Sequence, residues 1–239
     1  MKLGIMQPYF FPYLGYFTLI NYVDKFIFFD TVQYISHGWM NRNRILKHDG
    51  TPVYITVPIR KCPQKTTINK IEIQNSINWS GKIKGQLTSY KRRAPYYNDV
   101  ISIFDEIMER KNGSLSLLNI ESIKFICKYL DIDTDFEIFS EMNLKIEQVN
   151  QPDEWALNIS KALGAETYVN APGGKSFFDR IKYKEACIKL EFIQSLLPPY
   201  VQKIGHFESG LSILDVLMFN SKDIIKEMLE EFVASIGLA

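Results

Sequence analysis

The stretch Met6-Gln7-Pro8-Tyr9-Phe10-Phe11-Pro12-Tyr13-Leu14-Gly15-Tyr16-Phe17 constrains the fold more than any other. It follows an apolar run, Lys2 to Met6, that reads as a buried strand, and it precedes a second, Phe26-Ile27-Phe28-Phe29, that ends in Asp30. Between the two runs there is room for one short helix, over 15–22. Strand, turn, helix and strand make a βαβ opening. In open parallel sheets ligands collect outside the carboxyl ends of the strands, and Gln7 and Asp30 stand at such ends. Turns ordinarily use Gly, Asn, Asp or Ser. This one carries Tyr9, Tyr13 and Tyr16 with Pro8 and Pro12. Phe10, Phe11 and Phe17 read as core, and Gln7, Tyr9, Tyr13 and Tyr16 as a ligand surface.

The next stretch, Thr31 to Ile45, fits neither a helix nor a strand period and holds His37, Trp39, Asn41, Arg42, Asn43 and Arg44. Polar loops on a rigid sheet are frequent functional sites. If extended, the segment would put Arg42 and Arg44 on one face. Asp30 and Arg42 are expected to share a site, with Asp30 as the arginine's partner in the ligand-free protein. Val53 to Pro58 reads as a strand, and Ile68 to Ile73 alternates as a half-buried one. The two are expected to pair as an antiparallel excursion over about 53–73, with the basic turn Arg60 to Lys65 solvated.

Helices are expected over Trp79–Arg93, Asn98–Lys111 and Leu117–Leu130. The basic cluster Lys91-Arg92-Arg93 then either complements a helix dipole or binds an anion. Cys127 shares a buried helical face with Ile120, Ile123 and Ile126, which makes it a core thiol rather than a nucleophile. The second half alternates: strand Phe136–Phe139, helix Glu154–Leu163 capped by Asp153 and ended by Gly164, strand Thr167–Asn170, helix Arg180–Ala186, strand Lys189–Ile193, and helices Asp215–Met218 and Ser221–Val233. This rhythm argues an α/β architecture with a mainly parallel sheet of five strands, an antiparallel excursion and C-terminal helices. With 239 residues a single domain, 1–239, is expected.

Gly174-Lys175-Ser176 after a strand is not a phosphate loop, because Val169 stands where that motif needs its first glycine. Gly173 and Gly174, with Asn170, either let a backbone approach a ligand or form a plain turn. No GxGxxG occurs. His37, His48 and His206 are too scattered for a zinc site, so no metal is expected. A net charge of +1 gives no reason to expect nucleic acid. No apolar run reaches the roughly 20 residues of a membrane span. Three unpatterned cysteines and the absence of a signal peptide imply a cytoplasmic, reduced protein.

The run Ile5 to Tyr16 resembles the start of the WbqC-like proteins. So do Asp30-Thr31-Val32-Gln33-Tyr34, Trp39-Met40-Asn41-Arg42-Asn43, Tyr90 with Pro95, Asn119, Tyr168 to Gly174, and Leu211-Ser212-Ile213-Leu214-Asp215. The resemblance spans nearly the whole chain. It implies a place in surface-polysaccharide (O-antigen) gene clusters and a glycine transferase role. A more distant similarity is to nucleotidylyltransferases and class I synthetases, and it implies a Rossmann-like (HUP-like) sheet. Those proteins carry His-x-Gly-His in the first turn, where this chain has Tyr13-Leu14-Gly15-Tyr16. A neutral Tyr donates a hydrogen bond but brings no cationic charge to a transferring phosphoryl group.

The resulting expectation is an enzyme that acylates, with glycyl, the amine of a nucleotide-linked amino sugar. An amino acid with ATP and Mg²⁺, or an aminoacyl carrier, would be the donor. His37, Asp30 and Arg42 are the expected catalytic residues, with His37 or Asp30 taking the proton and Arg42 holding phosphate or carboxylate. Gln7, Tyr9, Tyr13, Tyr16, Gln33, Trp39, Asn41, Asn43, Asn170, Gly173 and Gly174 are the expected substrate contacts. A nucleotidyltransferase and a non-catalytic sugar-nucleotide-binding scaffold are the alternatives.

Overall fold

A computed structural model describes residues 1–110 and 113–236. The strands are β1 (Lys2–Met6), β2 (Lys25–Phe28), β3 (Arg42–Leu46), β4 (Pro52–Thr56), β5 (Asp135–Ile138), β6 (Thr167–Asn170), β7 (Lys189–Ser195) and β8 (Phe232–Ile236). The helices are α1 (Leu14–Tyr22), α2 (Trp79–Leu87), α3 (Tyr97–Glu109), α4 (Leu115–Tyr129), α5 (Glu154–Ala162), α6 (Arg180–Glu185), α7 (Ile213–Phe219) and α8 (Lys222–Glu230). The sequence-based reading carried the third helix to Lys111, which lies outside the described residues.

Six strands form the main sheet, in the order β5-β2-β1-β6-β7-β8. The first five are parallel, and β8 runs antiparallel to β7. The fold is therefore mixed α/β with a mostly parallel sheet, as expected, but with six strands instead of five. The sixth comes from Phe232–Ile236, where a helix was expected to continue to Val233. Phe232 fits the apolar stripe of α8, so periodicity alone carries the helix too far. At β1 the strand order reverses, which places a switch point between the ends of β1 and β6.

Both faces of the sheet are buried, and side chains alternate between two cores with period two. Phe26, Phe28, Val169 and Ile193 enter the core that also holds Leu14, Phe17 and Ile20 of α1. Leu3, Ile5, Ile27, Tyr168 and Phe192 face the other, with Leu157 and Ile159 of α5 and Tyr183 of α6. Gly4 lets the α1 end close on β1, since a Cβ there would sit 3.0 Å from Phe26 and 3.2 Å from Val23.

The antiparallel excursion is real but pairs differently. β4 pairs with β3, Arg42 opposite Thr56 and Arg44 opposite Tyr54. The segment Thr31 to Ile45, which includes most of β3, was expected to be loop. The segment Ile68–Lys70 is a single turn of 3₁₀ helix, and only Ile59 and Ile73 bridge across the expected pairing. Ile68, Ile71 and Ile73 are all buried, so their burial comes from the core and not from a ladder. Asp153 occupies the first position before α5 without capping it by its side chain. Its carboxylate instead takes Lys182 Nζ at 3.1 Å.

Candidate functional site

The turn after β1 is fixed in place by remote side chains. Asn119, on α4 and fully buried, donates from Nδ2 to the Pro8 carbonyl at 2.9 Å and the Met40 carbonyl at 2.7 Å. Asn43 donates to the carbonyls of Phe10 at 3.2 Å and Phe11 at 2.7 Å. Ser212 Oγ donates to Phe11 at 2.9 Å, and the Ile213 N–H to Pro12 at 2.8 Å. The Phe10 N–H donates to the Trp39 carbonyl at 3.0 Å. Phe11 sits at φ 39, in the left-handed region that bulky residues adopt at a cost of about 1–3 kcal/mol. The clamp holds it there. Phe10, Phe11 and Phe17 pack into the core as expected.

On this frame Gln7, Tyr9 and Tyr13 are partly buried, with some surface left to solvent. The Tyr9 hydroxyl donates to Gln7 Oε1 at 3.0 Å. Burial raises the pKa of Tyr9, with the neighbouring Tyr13 adding to it, and burial also raises that of Tyr13. Both are therefore neutral phenols near pH 7, able to donate and accept hydrogen bonds but unfit as general bases. The Tyr13 ring packs over Gly15, where a Cβ would stand 2.5 Å from it.

Several residues expected to face a ligand turn inward instead. Tyr16 is buried and donates to the Gln7 carbonyl at 2.9 Å. Asn41 accepts from the Tyr34 hydroxyl at 3.0 Å and donates to the Val57 carbonyl at 3.0 Å. Asn43 is part of the clamp. These three support the site from behind, because their polar groups are consumed by buried backbone and phenol partners that would otherwise be unpaired.

The expected Asp30–Arg42 pair does not form. Asp30, 2% exposed, accepts from the Ser140 N–H at 3.0 Å and the Ser140 hydroxyl at 2.6 Å. It ties the end of β2 to the turn after β5. Arg42 stacks its guanidinium over the Tyr54 ring at 4.2 Å and donates to the His37 carbonyl. Its Nε is buried without a partner. The register explains this: β3 carries Arg42 onto the outer face of the hairpin, diagonal to Tyr54. His37 and Gln33 are exposed, and Gln33 donates to the Gln64 carbonyl at 2.9 Å. His37 has φ 63, which aims its carbonyl at Arg42.

Across the switch point, Asn170 donates to the Tyr168 hydroxyl at 2.5 Å and accepts from the Ala171 N–H at 2.6 Å. The turn Pro172–Gly174 is a short 3₁₀ helix. Gly174 is required by packing, since a Cβ would lie 2.7 Å from Phe178. A Cβ on Gly173 would meet nothing within 4 Å.

Four supporting features escaped sequence reading as parts of the site: Asn119, Ser212, Ser140 and Tyr54. An Asn inside the apolar helix Leu118 to Ile126 was the readable signal for the first. A second buried network also emerges. Asp215, fully buried, accepts from Tyr90 at 2.5 Å, Tyr200 at 2.6 Å and Gln202 at 3.0 Å, and the Tyr90 hydroxyl accepts from the Leu46 N–H at 2.7 Å. Burial raises the pKa of Asp215 despite these donors. The network fastens β3 to α7 and the loop before it. Cys127 is buried and its thiol is pushed up by burial. Among the described residues no group of His, Cys, Asp and Glu is placed to hold a metal, and no helix is long and apolar enough to cross a membrane.

Residues 7–227 match the WbqC-like protein family, and the chain belongs to it. An uncharacterized protein, Rv1507c, of Mycobacterium tuberculosis (strain ATCC 25618 / H37Rv) is 30% identical over 221 residues, covering 92% of this chain and 93% of the relative. No solved structure matches.

Proposed function

We propose that this member of the WbqC-like family transfers an aminoacyl group, glycyl in the first instance, to the amine of a nucleotide-linked amino sugar used in surface-polysaccharide (O-antigen) assembly. The opening turn carries the reading. Gln7, Tyr9 and Tyr13 stand partly buried at the end of the central strand, on a backbone fixed by Asn43, Asn119 and Ser212. Rigid phenols and an amide at a strand-order reversal suit a sugar with many hydroxyls. Taking β5 as the third strand of the sheet, the order matches the one dinucleotide-binding sheets use, with the last strand here antiparallel. That supports a nucleotide-linked ligand.

In the reaction the sugar amine attacks the carbonyl of an activated aminoacyl donor. A C–N bond forms, the bond to the leaving group breaks, and the amine loses a proton. ATP with an amino acid and Mg²⁺, or an aminoacyl carrier, supplies the activated acyl group. The tyrosines are held neutral and Asp30 is held by Ser140, so His37 is the proton acceptor in this reading. In this reading Asn170, Gly173 and Gly174, beyond the end of the neighbouring strand β6, also contact the ligand. Nucleotidyl transfer is the weaker chemistry, because the buried Tyr16 hydroxyl is committed to Gln7 where that chemistry would present an imidazole. A non-catalytic sugar-nucleotide-binding protein is the second reading, favoured by the separation of Asp30 from Arg42.

Incubation of the full chain with a UDP-linked amino sugar, glycine and ATP, read by mass, tests the proposal. A glycyl amide that forms only with active protein is expected. Absence of product, with glycine replaced by other amino acids and by aminoacyl carriers as well, would leave the binding reading.

A further inference from the structure

The outer face of the β3–β4 hairpin has a composition that folding does not require. Trp39 and Tyr54 are 42% and 43% exposed, with ring centroids 6.5 Å apart and planes inclined at 35°. The Arg42 guanidinium lies over the Tyr54 ring at 4.2 Å. Arg44, two residues along the same face, is paired with Glu208 at 3.3 Å. Among the described residues no carboxylate lies within ion-pair distance of Arg42. Its Nε is shut off from solvent without an acceptor. A guanidinium lying over an aromatic face still points N–H donors outward from its own edge, suited to a phosphate. Arg42 is only partly buried and one of its N–H groups goes to the His37 carbonyl, so an anion at its free edge would supply the ionic partner that the described residues do not. The bland account is cross-strand packing, worth about 0.2–1 kcal/mol. It explains Tyr54 under Arg42 but not the lack of a carboxylate beside this cation or the outward Trp39.

We propose that this face is the nucleoside-diphosphate subsite: the base stacks on Trp39 and Tyr54, and Arg42 takes the phosphates. The assignment rests on the reading that the ligand is nucleotide-linked, and it fixes the ligand's direction. The Trp39 carbonyl receives the Phe10 N–H, so the plate adjoins the opening turn. The sugar end then meets Tyr9 and Tyr13.

The test is titration of the full chain with UDP, dTDP, ADP and GDP, none carrying a sugar, by calorimetry and by the indole N–H signals in NMR. At least one diphosphate is expected to bind and to shift the Trp39 signal. Trp39→Ala, Tyr54→Leu and Arg42→Lys should each weaken it at least tenfold, while Arg60→Ala, on another exposed Arg that is paired with Glu72, should not. Melting curves identify any variant that fails to fold, and the wild-type Trp39 shift reads the same contact without substitution. The inference fails if none of the four binds at millimolar concentration. It also fails if Tyr13→Ala abolishes binding while folded Trp39→Ala and Arg42→Lys retain it. Diphosphate binding by this face without any acylated product keeps the subsite and removes the transferase. Acylation untouched by the hairpin variants does the reverse.

Discussion

Five parallel strands send their chain out at the carboxyl edge of the sheet, and the turns after β1, β2 and β6 are held in different ways. The turn after β1 is bound by Asn43, Asn119 and Ser212 from three separate segments, plus the backbone at Trp39 and Ile213. The turn after β2 is tied by the Asp30 side chain to Ser140 and by two backbone bonds to one further segment, Asn69 N–H to the Asp30 carbonyl and Ile68 N–H to the Val32 carbonyl. The turn after β6 is held locally: Ala171 N–H to Asn170, Gly174 N–H to Ala171, Lys175 N–H to Pro172. Remote clamping fixes a backbone against the whole fold, whereas local bonds fix it only against itself. The first turn is therefore a pre-organised platform, and pre-organisation lowers the ordering cost of binding.

This ranking predicts a graded response to substitution. Asn119→Ala strands the Pro8 and Met40 carbonyls in the core and should cost about 3 kcal/mol or more, read by denaturant unfolding. A loss no larger than that of a surface residue would break the comparison. Ser140→Ala should cost about 1–3 kcal/mol. Combined with Asp30→Ala it should be strongly non-additive, which would place the role of Asp30 in support rather than chemistry. In the local turn the two glycines should separate. Gly174→Ala meets Phe178 and should lose about 1–3 kcal/mol. Gly173→Ala meets nothing and should be neutral or stabilising by about 0.4–1 kcal/mol in thermal melts. Equal effects at both positions would mean that the turn is constrained by something other than Phe178.

The sequence made much of this fold legible, because burial on both sides of a parallel sheet writes apolar runs at β1, β2, β6 and β7. It hid β3, whose inward position 43 is an Asn satisfied by the carbonyls of a turn 32 residues away. It hid β8 because Phe232 continues the helical stripe of α8. At the opening turn, Gln7, Tyr9 and Tyr13 keep partial exposure, whereas Tyr16, read with them as a ligand surface, is buried. The partner of Asp30 was not legible, since Ser140 is 110 residues distant and nothing local marks it. Arg42 had an aromatic alternative to a carboxylate, and strand register decided for it.

The central claim is that the opening turn presents its polar tips to the sugar. Gln7→Ala tests it most directly, because Gln7 is only partly buried and its side chain is bonded only to Tyr9, so the fold should survive. Calorimetric titration with a UDP-linked amino sugar is predicted to show binding weakened about tenfold, some 1.4 kcal/mol, at an unchanged melting temperature. Undiminished affinity in the folded variant would contradict the claim.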